Sequence, residues 1–131
     1  MRETVSRYLQ WVEHKGQRIL YVDFSGIHDE AQYLLAFDEL EQEILRQRTD
    51  QLSPLVIDVT DTILTPALTD RARALLAAGK EAGIPDSPTA MVGMTGIQKA
   101  VVQALQFFRR DLYVADSLEE GLDWIVEQVT K

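Results

Sequence analysis

Cysteine is absent from the 131 residues, which excludes disulfides, thiolate metal sites and cysteine nucleophiles together. The absence fits a reducing compartment, and a cytoplasmic location is the expectation. Apolar runs are short. None approaches the ~20 residues of a membrane span, and Met1 to Leu9 lacks the apolar stretch of a signal peptide, so neither anchor nor leader is expected. Basic residues are in deficit, with 13 Lys and Arg against 21 Asp and Glu, a formal charge of −8. Phosphate backbones and anionic headgroups reward the opposite balance, so no nucleic-acid partner is expected. Histidine occurs only at His14 and His28. They fall at a strand end and in a loop without a carboxylate or serine constellation, so catalysis by either is not expected.

What is present describes one ordinary α/β domain spanning residues 1–131. The hydrophobic fraction is 46% and the charged fraction 26%, enough for a core without cofactors or staples. Val5 to His14 and Arg18 to Phe24 read as strands joined at Lys15-Gly16, an antiparallel hairpin. Asp29 with Gln32 has capping-box spacing and opens an amphipathic helix carrying Tyr33, Phe37, Leu40 and Ile44. Leu55 to Val59 is the most apolar strand. Thr65-Pro66 is an N-cap with proline at the first helical position, and Gly83 with Pro85 stops that helix. Ala90 to Met94 is a short strand. Thr95 and Gln98 cap a helix with Ile97, Val101, Leu105 and Phe108 on one face. Leu112 to Ala115 is the last strand, and Ser117 with Glu120 caps a final helix carrying Leu118, Leu122, Ile125 and Val129. Alternating strands and helices predict parallel pairing after the hairpin.

The strand patterns are asymmetric. Leu20, Val22 and Phe24 alternate with Ile19, Tyr21 and Asp23, and Leu55, Ile57 and Val59 alternate with Val56, Asp58 and Thr60. A sheet covered on both faces reads as nearly continuous apolar runs. The pattern therefore predicts one face packed by helices and a second only partly covered, where Tyr21, Asp23, Asp58 and Tyr113 would meet a partner or solvent.

Two groups of residues are candidates for chemistry. Asp23 and Asp58 fall near the carboxyl ends of strands, where α/β sheets often bind ligands. With Asp61 they offer the oxygen ligands that Mg²⁺ prefers. No lysine or phosphate-binding loop completes such a site, so the expected reading is hydrogen-bonded carboxylates ending strands, with no metal. The turn Val92-Gly93-Met94-Thr95-Gly96-Ile97, with Lys99 one turn on, is a candidate anion-binding turn built from Gly93, Thr95, Gly96 and Lys99. It is neither GxGxxG nor a Walker sequence, and the simpler reading is that its glycines permit a tight turn and close packing. Trp11, Trp124, Phe107 and Phe108 read as core or interface bulk.

Several segments in their order resemble the STAS domain of anti-sigma-factor antagonists, in its SpoIIAA-like (STAS/SEC14-like) group. They are Ile19-Leu20-Tyr21-Val22-Asp23-Phe24-Ser25-Gly26, Asp58-Val59-Thr60, Ala90-Met91-Val92-Gly93-Met94-Thr95-Gly96 and Leu118-Glu119-Glu120-Gly121-Leu122-Asp123-Trp124. The likeness covers nearly the whole chain from about Trp11. It implies a SpoIIAA-like (βα) superhelix, a five-stranded mixed sheet with an N-terminal antiparallel hairpin and four helices lying on one side. It also implies a bacterial regulatory or ligand-sensing module rather than an enzyme. The Asp-Ser-Ser/Thr-Gly phospho-acceptor turn of STAS domains is absent. The matching stretch is Asp61-Thr62-Ile63-Leu64-Thr65-Pro66-Ala67, with Thr65 nearest the expected position.

Two non-enzymatic functions follow. One is a protein-interaction module, with Asp58, Thr60, Asp61 and Thr65 as the partner or switch surface. It would take a protein partner or form a homodimer. The alternative is a carrier or sensor of a small apolar or lipid-like ligand, bound under the third helix with Phe107 and Phe108. An enzyme with a carboxylate or glycine-turn site has the least support, and no cofactor is assigned.

Overall fold

The hairpin predicted around Lys15-Gly16 forms, with Lys15 at φ +50° and Gly16 at φ +81°. Both residues of a tight type I′-like connection need positive φ, which matches the twist of the paired strands. The computed structural model describes residues 2–46, 54–83, 87–96 and 112–130. In chain order they form β1 (Arg2–Thr4), β2 (Leu9–His14), β3 (Gln17–Asp23), α1 (Glu30–Arg46), β4 (Leu55–Asp58), α2 (Pro66–Glu81), β5 (Thr89–Val92), β6 (Leu112–Ala115) and α3 (Leu118–Val129). The third helix expected from sequence, with Lys99, Phe107 and Phe108, lies outside the described residues.

The six strands form one sheet in sequence order. β1, β2 and β3 pair antiparallel, then β3 to β6 pair parallel. The five expected strands are present, and β1 adds a short edge the sequence did not suggest. The expected first strand, Val5 to His14, is broken: Val5 and Ser6 both donate their N–H to the Leu9 carbonyl, folding the chain back.

Helices cover both faces. Leu9, Trp11, Leu20, Val22, Phe24 and Ile27 pack with Tyr33, Ala36 and Leu40 of α1 and Leu68 of α2. On the opposite face Ile19, Val56, Ala90, Val92 and Ala115 pack with Ile125 of α3. This corrects both the expected half-covered sheet and the expected one-sided helices. The physical reason is local. At Gly121 an added Cβ would lie 3.3 Å from the Ala90 Cβ and 3.5 Å from that of Ala115, so α3 lies close against small sheet residues. Each buried Leu, Ile or Val is worth ~1.5–3 kcal/mol, which makes both cores substantial. Arg71 of α2, largely buried, reaches Asp38 at 3.0 Å and Glu41 at 3.2 Å and ties α2 to α1.

Candidate functional site

The parallel strands all run toward one edge, and the loops leaving β3, β4 and β5 meet there. Asp23 and Asp58 are register partners on β3 and β4. Each ends its strand the same way. Asp23 Oδ1 accepts from the Ser25 N–H at 3.1 Å and the Ser25 hydroxyl at 2.5 Å. Asp58 Oδ1 accepts from the Thr60 N–H at 2.9 Å and the Thr60 hydroxyl at 2.6 Å. These are Asx turns, in which a short carboxylate replaces a backbone acceptor. The Tyr21 hydroxyl adds a long contact to Asp58 Oδ2 at 3.5 Å.

The loops are joined to one another by backbone. Phe24 N–H donates to the Asp58 carbonyl, Gly26 N–H to the Thr60 carbonyl and Val59 N–H to the Val92 carbonyl, each at 2.9 Å. Gly93, at φ +81°, lies directly against Thr60: a Cβ there would come within 2.0 Å of Thr60 Oγ1. The sequence presented the Asp58–Thr60 turn and the glycine turn as separate candidates, and the fold brings them into contact.

The other candidates are distributed around this edge. Asp61 is exposed, sits at φ +55° and pairs with His28 Nε2 at 3.2 Å. Thr65 caps α2, its hydroxyl oxygen accepting from Leu68 N–H at 3.2 Å and donating to Glu30 Oε1 at 2.6 Å. Thr95 and Gly96 are exposed, while Lys99 lies outside the described residues. Among the described residues no three His, Asp or Glu side chains gather closely enough to hold a metal ion. The histidines do have carboxylate partners, which corrects the reading from sequence. His28 meets Asp61, and His14 Nε2 meets Asp123 Oδ1 at 2.8 Å from 109 positions away. No local spacing could have shown either pair.

No protein-family model and no curated protein matches the chain. Among solved structures it is similar to an uncharacterised protein of the DUF3478 family with a SpoIIAA-like fold from Shewanella loihica PV-4. The TM-score is 0.63 at 15% identity, over 95% of each chain. The chain has a SpoIIAA-like fold. At that identity the likeness carries the architecture alone, so function rests on the site. The SpoIIAA-like sheet places the paired Asx turns, Gly93 and the exposed Asp61–His28 pair on a single edge. Every carboxylate oxygen named there is engaged by a neighbouring donor. That arrangement fixes the shape of a surface. No helix among the described residues is long and apolar enough to cross a membrane.

Proposed function

We propose that this chain is a non-enzymatic STAS-like module that presents the carboxyl edge of its sheet to a protein partner. The observation that carries the reading is the joined platform formed by the loops after β3, β4 and β5. Ser25, His28, Thr60 and Asp61 stand exposed on it, while the backbone beneath them is fixed by the cross-loop hydrogen bonds described above. A preformed surface loses little conformational entropy on docking, so modest contacts suffice for binding.

Thr65 supports a switch at the same edge. A phosphate on its hydroxyl would add up to two negative charges next to Glu30, whose Oε1 is 2.6 Å away. Such a group would push the start of α2 from the start of α1. The carrier reading depends on Phe107 and Phe108, which lie outside the described residues, and no observation favours it.

Native mass spectrometry of the chain purified from its own host tests the proposal. The expected result is a stoichiometric protein partner that is lost in the Ser25→Lys/Asp61→Asn variant. Retention of the partner by that variant would place the interface elsewhere. A small apolar molecule retained in place of a protein would overturn the module reading in favour of the carrier.

A further inference from the structure

α3 has a second face. At 100° per residue, Leu118, Gly121, Leu122 and Ile125 fall on the side packed against the sheet, and Glu119, Glu120, Asp123, Trp124 and Glu127 fall on the other. Trp124 stacks face to face on Tyr113 of β6, with ring centroids 4.9 Å apart and planes 10° from parallel. Both rings are only partly buried. With the four carboxylates they line an open groove of about 450 Å³.

Two basic side chains already meet Asp123 at the groove's edge. Lys15, from the β2–β3 turn, sets its Nζ 2.9 Å from Asp123 Oδ1, and Asp123, then Glu119, raise its pKa. His14 Nε2 meets the same oxygen at 2.8 Å, and α3 itself, from Leu118 to Val129, has no Lys or Arg. Partly buried aromatic rings next to carboxylates suit a cation with an apolar stem, because the ring quadrupole and the carboxylates both attract it.

We infer that this groove is a docking site for an extended, lysine-bearing segment of a protein partner, with Trp124 and Tyr113 as its aromatic wall and Glu119 and Glu127 as its acidic ends. The spacing argues for a polypeptide over a small cation. Glu119, Asp123 and Glu127 recur every four residues, about 6 Å along a helix. Alternate side chains of an extended chain lie about 6.8 Å apart, so a Lys-x-Lys pattern keeps step with them. The groove is also open on one side, so a small cation would shed little water, whereas a chain along its length makes every contact. This surface is distinct from the loop platform proposed above, and its test is independent of that proposal.

The test is fluorescence titration of the full chain with a peptide of four alternating Lys-Ser pairs. Trp11 is 5% exposed, so a change in tryptophan emission reports Trp124. Expected results are saturable binding that weakens with salt, and no binding of the Glu-Ser counterpart. The exposed double variant Glu119→Gln/Glu127→Gln should bind about fivefold more weakly. Trp124→Leu should weaken binding about threefold or more. Lys15→Asn keeps a residue tolerant of positive φ and removes one of the two basic partners of Asp123, His14 being the other, so it should bind about twofold more tightly. Wild-type binding undiminished in the double variant would overturn the inference, as would no saturable binding at low salt. Spermine binding as tightly as the peptide would overturn it too, by making the ligand a small polyamine.

Discussion

Gly93 has both reasons to be glycine. Its φ of +81° strains any L side chain, a cost of about 1–2 kcal/mol. Its missing Cβ would also lie 2.0 Å from Thr60 Oγ1 and 2.8 Å from Thr60 Cα. Overpacking of that kind costs about 1–3 kcal/mol, so Gly93→Ala should destabilise by about 2–4 kcal/mol in urea denaturation. Because the Thr60 backbone is itself too close, truncating Thr60 in the same chain should recover little of the loss. Thr65 gives a second prediction at this scale. Removing its cap hydroxyl in Thr65→Ala should cost about 1 kcal/mol. Thr65→Asp retains a cap acceptor but sets a second carboxylate against Glu30, so it should fall between wild type and Thr65→Ala. Added salt should narrow its deficit, and the same denaturation series at two ionic strengths measures both effects.

Among the elements, helix starts were legible in the sequence because capping is local. Asp29 Oδ2 accepts from Gln32 N–H at 3.1 Å and Ser117 Oγ from Glu120 N–H at 3.1 Å, as their spacing predicts. The reciprocal half of each box goes elsewhere. Gln32 Nε2 donates to the Tyr8 hydroxyl, and Glu120 accepts from the Tyr113 hydroxyl and Asp116 N–H. Those partners come from other parts of the fold or from the preceding turn, and a three-residue pattern does not contain them. The apolar stripe of α3 was equally readable. Its side of the sheet was not, since periodicity defines a face without saying which surface it meets. The loop site was read in fragments for the same reason: Asp58, Thr60 and Gly93 are each suggestive, but only the β4–β5 register brings them together. The side choice of α3 yields its own test. Gly121→Val would drive methyls into Ala90, Val92 and Ala115, which lie 3.3–3.5 Å from an added Cβ. It should cost about 1–3 kcal/mol. Gly121→Ala should cost far less, because gained helix propensity of about 1 kcal/mol offsets the tight fit. Thermal melts of the two variants separate close packing from propensity.

At the scale of the molecule, the two cores differ in how they respond to pH. The α3 face is fastened at its rim by partly exposed charges. Asp123 is held below the usual carboxylate range by His14 first and then Lys15, and Glu120 by the Tyr113 hydroxyl. Their contribution is present above the ordinary carboxylate pKa near 4 and is lost as pH falls through the lowered folded values. The α1 face is fastened from within. Tyr33 is 5% exposed and stacked on Phe37 at 5.3 Å, with Phe24 edge-on at 5.2 Å. Burial raises its pKa to about 12, against a smaller opposing effect of its hydrogen bond with Thr62. The folded pKa lies above the unfolded value near 10, so the unfolded chain releases this proton first as pH rises. Stability is therefore full below pH 10 and declines between pH 10 and 12, by about 3 kcal/mol if the whole shift is expressed. Tyr113, raised by its hydrogen bond to Glu120, acts in the same direction but is only partly buried. Tyr33→Phe should separate the two effects in urea denaturation at stepped pH. It loses the Thr62 hydrogen bond, so near pH 7 it should be about 1 kcal/mol less stable than wild type. Its stability should then fall much less steeply above pH 10, so that the two curves converge and cross before pH 12. Parallel curves would show that another group controls the alkaline limb.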